Sequence, residues 1–115
     1  AIRYADVLLL LAESYLRGKQ DLPMAIGYLN QIRERANLNP YSGAQTYEAV
    51  FNDLERQRAI EFFVEGERFY DLRRWGLLEK RMQTCNVGDT NRYYYYPIPS
   101  KELETNPLCT PNEGW

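Results

Sequence analysis

Histidine is absent from the 115-residue chain. Its absence removes the commonest general base and the commonest metal ligand together, so enzyme readings start at a disadvantage and neither metal nor cofactor is expected. Cysteine is scarce: Cys85 and Cys109 stand alone without CxxC spacing. That disfavours zinc and thioredoxin-type chemistry and leaves free thiols or one disulfide open. Long apolar runs are missing too. The longest, residues 7–12, is bounded by Asp6 and Glu13 and falls far short of the roughly 20 residues that cross a bilayer. Nor does one sign of charge dominate. Fourteen Lys and Arg against sixteen Asp and Glu give a net charge of −2, and no basic cluster is larger than the Arg73, Arg74 pair. No nucleic-acid partner is therefore expected. The chain opens without a charged n-region or cleavage site, inside an amphipathic pattern. A fragment is expected, with any targeting signal upstream.

What is present is 44% hydrophobic and 26% charged, which at this length supports one core and not two. At about 100° per residue, Tyr4, Val7, Leu8, Leu11, Ala12 and Tyr15 share a broad arc, with Leu9 and Leu16 at its edge. So wide an arc suits a helix covered by more than one neighbour. An exposed apolar surface along Tyr4, Val7, Leu8, Leu11 and Tyr15 is expected from a single partner helix. Gly18 reads as the helix stop. Asp21 is placed to cap the next helix, with Pro23 in its first turn, and Ala25, Leu29, Ile32 and Ala36 form its stripe. Residues 1–36 are thus predicted to form a helical hairpin. Its small residues, Ala5, Ala12, Ala25 and Ala36, resemble the helix pairs of tetratricopeptide arrays, although one pair without a second copy does not make a repeat.

A loop rich in Asn, Pro, Ser and Gly follows at 37–45, and Thr46 is placed to cap a long helix. Residues 46–82 are predicted to be this long kinked helix, bent or broken at Gly66 and punctuated at Trp75 and Gly76. One line of its wheel starts apolar at Tyr47, Val50, Phe51 and Leu54, then turns charged as Arg58, Glu61, Glu65, Arg68 and Leu72. Ile60, Phe62, Phe63 and Val64 fill the remaining directions, so this part should be covered on several sides. Charges under protein need partners. Arg58 with Glu61, and Glu65 with Arg68, have helical contact spacing, and these four residues are predicted to form a buried structural charge network.

Two functional readings compete with that one. Glu61 and Glu65 as a glycosidase pair conflicts with their shared helix face, because the two carboxyls must flank a scissile bond. Arginine neighbours also lower carboxylate pKa values where a general acid needs one raised. An acidic ligand on Arg68, Arg73 and Arg74 suits arginine's bidentate fork, but Glu67 and Asp71 lie within one turn of them. No catalytic residue is assigned.

Residues 83–115 are predicted to be an irregular C-terminal strap. Tyrosines occupy 93–96, and Pro97 and Pro99 hold the following segment extended. A sugar-stacking platform is one reading. Alternate residues of an extended chain point oppositely, so at most two of the tyrosines share a face. Packing of the strap onto the helices is the plainer reading. The fold class as a whole is all-α.

Several stretches together resemble the C-terminal part of SusD/RagB outer-membrane nutrient-binding lipoproteins. They are Arg3-Tyr4-Ala5-Asp6-Val7-Leu8 with Ala12-Glu13, then Leu29-Asn30-Gln31-Ile32-Arg33-Glu34-Arg35-Ala36. Glu61 with Glu65-Gly66 and Arg68 follows, and then Asp71-Leu72-Arg73-Arg74-Trp75-Gly76. Pro97-Ile98-Pro99, Asn106-Pro107, Asn112 and Gly114-Trp115 complete the set. The order of these motifs makes the match specific where each alone is weak. Gln57 stands where a glutamate is usual, and Pro111 and Glu113 replace the usual Gln and Pro.

The resemblance implies a helical, tetratricopeptide-containing protein held by an N-terminal lipid on the outer face of the outer membrane. Such proteins capture glycans or other nutrients and pass them, uncleaved, to a TonB-dependent channel of the SusC type. The lipidated cysteine implied by the resemblance lies upstream, so neither Cys85 nor Cys109 takes that role, and no ligand residue is assigned. A tetratricopeptide-type interaction scaffold is the alternative, and a glycoside hydrolase a more distant one.

Overall fold

The computed structural model of the protein describes residues 2–82 and 95–112, and it is helical throughout, with no strand among them. Its chain divides into two units, residues 1–68 and 69–115, the division falling inside one helix. In the first unit α1 (Tyr4–Ser14) buries Ala5, Leu8, Leu9 and Ala12, and a π-helical turn (Tyr15–Lys19) adds Leu16. The steps from Ala5 through Leu9 and Ala12 to Leu16 are four, three and four. They match the Ala25, Leu29, Ile32 stripe of α2 (Leu22–Arg35), and alanines on both helices let the backbones approach.

The buried face is therefore centred on Leu9 and Leu16, which the helical wheel put at its edge, and Leu8 is buried with them. Tyr4, Val7, Leu10 and Leu11 face outward. The reason is that α2 and α3 both pack on α1, and Val50 and Leu54 of α3 join the same core as Leu9. Nor does Gly18 stop the helix. It lies inside the π-helical turn, and Gln20, at φ 53°, takes the left-handed position, with Asp21 N–H donating to Tyr15 O at 3.0 Å.

Asp21 accepts the Met24 N–H at 3.1 Å and Pro23 sits in the first turn, so the cap forms as its chemistry dictates. The stripe ends at Ile32, because α2 ends at Arg35 and Ala36 is exposed. Loop 37–45 is pinned to α2. Asn30 Oδ1 accepts Tyr41 N–H at 2.7 Å, and Arg33 Nε donates to Asn39 O at 2.8 Å.

Thr46 caps α3 (Tyr47–Glu61) through Ala49 N–H at 3.3 Å. The predicted long helix is broken rather than bent. After Glu61 the chain turns through Phe62, passes Val64 at φ 67° and Gly66 at φ 87°, and restarts as α4 (Glu67–Arg74). Only Phe62 of the expected apolar group is buried here, while Ile60, Phe63 and Val64 are open to solvent. Gly76, at φ 70°, separates α4 from α5 (Leu78–Met82).

In the second unit Leu72 and Leu78 are buried, and Leu77 N–H closes on Leu72 O at 2.8 Å. Residues 96–99 have no regular structure, and α6 (Ser100–Thr105) follows. Asn112 Nδ2 donates to Tyr96 O at 2.6 Å. None of the described helices is long and apolar enough to cross a membrane.

Candidate functional site

Arg3 stands at the N-cap of α1 and reaches the far end of α3. Its Nη1 donates to the Glu61 carbonyl at 3.0 Å and to Glu65 Oε1 at 2.6 Å, and its Nη2 to Glu61 Oε1 at 2.5 Å. The other Glu61 oxygen receives Arg35 Nη2 from the last turn of α2. One carboxylate thus ties α1, α2 and α3 together, and a helix-end carbonyl without an intrahelical donor is satisfied as well. Arg58, 3% exposed, donates to Asp6 Oδ1 at 2.9 Å. The Arg3 and Arg58 guanidiniums lie 5.4 and 5.0 Å from the Phe62 ring centroid, within cation–π range.

The four predicted network residues are all ion-paired, but across elements. Glu61 pairs with Arg3 and Arg35 rather than with Arg58, Glu65 with Arg3 rather than with Arg68, and Arg68 with Glu55 Oε1 at 2.8 Å. The break at 62–66 takes Glu65 and Arg68 off the line of α3, which removes the spacing that the helical pairs required. Burial is uneven: Arg58 and Glu61 are largely enclosed, whereas 42% of the Glu65 side chain and 39% of the Arg68 side chain are open. Sequence reasoning left Asp6, Arg3, Arg35 and Glu55 out of the network. The signal was there in Asp6 and Glu55, each directly following a residue of the apolar core, Ala5 and Leu54.

The hydrogen bond from Arg35, with Arg3 adding to it, holds Glu61 below the usual carboxylate range despite its burial. Glu61 and Glu65 share one guanidinium instead of flanking an open space, and a lowered carboxyl is a poor general acid. Asp53 is the opposite case. Burial pushes its pKa up, Arg33 at 3.4 Å offsets this only in part, and Asp53 Oδ2 has no hydrogen-bond partner.

Two grooves remain. In the first unit one of about 300 Å³ runs between α1 and α2, with Tyr4, Leu8, Gln31 and Ile32 in its walls and Arg3 and Arg35 at its rim. In the second unit Tyr70, Arg73, Arg74 and Tyr95 line one of about 490 Å³. The arginine trio considered for an acidic ligand is therefore split, since Arg68 is committed to Glu55. Of the four tyrosines, Tyr95 enters the groove and Tyr96 is exposed, and Tyr93 and Tyr94 lie outside the described residues. Cys109 is a free thiol and Cys85 lies outside the described residues. No group of three or more acids or cysteines that could hold a metal ion occurs among the described residues.

The profile of the SusD family matches residues 1–115. The chain belongs to the SusD family. Among its relatives, the SusD-like protein P2 of Formosa agariphila is 31% identical over 96% of this chain and 24% of its own length. Starch-binding protein SusD of Bacteroides thetaiotaomicron is 31% identical over 98% of this chain and 21% of its own length. A crystal structure of a SusD superfamily protein from Bacteroides vulgatus shares 63% identity and a TM-score of 0.86 over 99% of this chain and 27% of that one. This SusD-family chain thus spans about a quarter of the length of the relatives it matches, and its helical architecture is that of the superfamily.

Proposed function

We propose that this SusD-family chain serves in a non-enzymatic nutrient-binding protein that captures a glycan and delivers it to a TonB-dependent channel of the SusC type. The carrying observation is the family match across the full chain, together with its 31% identity to a protein named for starch binding. The protein is lipid-anchored on the external face of the outer membrane in this reading, and Glu61 and Glu65 are mortar between helices rather than acid and base. Their commitment to Arg3 and Arg35 supports that assignment. A glycan array probed with the full-length protein, followed by chromatography of the bound glycan, tests the proposal. At least one glycan class should bind and be recovered at its original length. Shortened products, or no glycan bound from a broad array, would overturn it.

A further inference from the structure

Loop 37–45, α2 and α3 are joined through one guanidinium. Arg33 of α2 holds the loop with Nε, which donates to Asn39 O at 2.8 Å, while its Nη1 lies 3.4 Å from Asp53 Oδ1 on α3. The loop folds back on Tyr41. The Tyr41 N–H donates to Asn30 Oδ1 at 2.7 Å and its hydroxyl to Ala44 O at 2.8 Å, and a Cβ at Gly43 would stand 2.6 Å from that hydroxyl. The segment is thus wound about one ring that packs against the core.

The weak point of this junction is Asp53. Its side chain is 16% exposed, its contact with Arg33 is long for a charged hydrogen bond, and its Oδ2 is buried without a hydrogen-bond partner. An unpaired buried carboxylate oxygen carries the cost of its lost hydration. The groups that face it are Arg33 from α2, Arg56 on its own helix and, from the loop, Tyr41, whose pKa is raised by burial and then by the Asp53 charge. Burial outweighs both arginines and pushes the Asp53 pKa up. A proton on Oδ2 removes the cost and leaves Oδ1 able to go on accepting from Arg33. Withdrawal of the loop removes it too, by readmitting water.

We propose that loop 37–45 is an acid-tightened cover on Asp53: it closes onto α2 and α3 as Oδ2 takes a proton from solvent, and loosens as that proton leaves. The sign follows from linkage. A carboxyl whose pKa is higher in the closed state than in water holds its proton more tightly there, so acidification favours closure. The gain accrues as pH falls through the closed-state pKa and is complete below the free value of about 3.9. Glu61, held low by Arg35 and Arg3, keeps its charge above about pH 4.5 and does not contribute to the change.

The test is hydrogen exchange of the full-length protein, followed by mass spectrometry from pH 7 to about pH 4.5 and corrected for the intrinsic exchange rate. The Leu38 and Tyr41 amides donate to Arg33 O and Asn30 Oδ1, and the peptide that carries them should gain at least about threefold in protection over that range. Asp53→Asn should hold the loop closed throughout, with protection flat at the acid level. Arg33→Gln, which takes away the paired counter-charge, should move the tightening to higher pH. Should Asp53→Asn fail to fold, that shift decides the matter. Wild-type protection that does not change with pH, an equal change in Asp53→Asn, or an unmoved midpoint in Arg33→Gln would overturn the proposal.

Discussion

Glu61 takes Arg3 on one carboxylate oxygen and Arg35 on the other, and its pKa falls in consequence. A folded-state pKa below the unfolded value, about 4.3 for Glu, means stability that is complete above that value and is lost as pH falls through the folded one. Glu61→Gln should therefore show a shallower acid loss than wild type when melting temperature is followed from neutral pH to about pH 3. Asp53 has the reverse sign: burial raises its pKa, so its charge costs stability at neutral pH and the cost is relieved on acidification. Asp53→Asn should melt at or above wild type at pH 7, by a margin that shrinks in acid. Asp6→Ala removes one ion-pair partner of the enclosed Arg58 and should cost roughly 2 to 3 kcal/mol in urea unfolding. Glu65→Ala opens a half-exposed pair and should stay within about 1 kcal/mol of wild type. The signs of Arg58, Glu61, Glu65 and Arg68 were legible because each interrupts an apolar line. Their partners were not, because a wheel drawn on one axis cannot show Arg3, Asp6 or Arg35 arriving from other helices.

The Asp21 and Thr46 caps were readable in sequence because a cap is settled within three residues. The end of α3 is different. Gly66 marked the region, yet the helix ends at Glu61 and the turn carries Val64 at φ 67°, a conformation no local rule assigns to a β-branched residue. Val64 is 85% exposed, so Val64→Gly gives up little packing and relieves the strain. It should stabilise by about 0.5 to 1 kcal/mol, whereas Gly66→Ala, at φ 87°, should destabilise by about 1 kcal/mol. The Asn30 and Arg33 bonds that fix loop 37–45 were equally invisible, since the loop has no periodicity to read. On α1 the expected arc was one position off. Leu9→Ala should cost roughly 2 to 5 kcal/mol and Val7→Ala under about 1 kcal/mol, because α2 and α3 cover Leu9 and leave Val7 outside.

Across the first unit, Tyr4, Val7, Leu10 and Leu11 on α1, Ile60 in the last turn of α3, and Phe63 and Val64 beyond it present apolar surface to solvent. Surfaces of this kind are uncommon on monomeric proteins once they exceed a few hundred Å², and the matched relatives are about four times longer than this chain. These 115 residues produced alone should bind a hydrophobic dye and sediment as more than a monomer, while the full-length protein should do neither. The family was legible because its motifs come in a fixed order, and three of them, through Arg3, Arg35 and Glu61, meet where α1, α2 and α3 join. That these charges are architecture in a binding protein, not chemistry, is tested most directly by titrating the full-length wild type and Glu61→Gln with one bound glycan while following the glycan by chromatography. The account predicts Kd values within about twofold, no shortened product from either protein, and a melting temperature lower by a few degrees in the variant. Product formed by wild type and abolished in a Glu61→Gln protein that melts normally would contradict it.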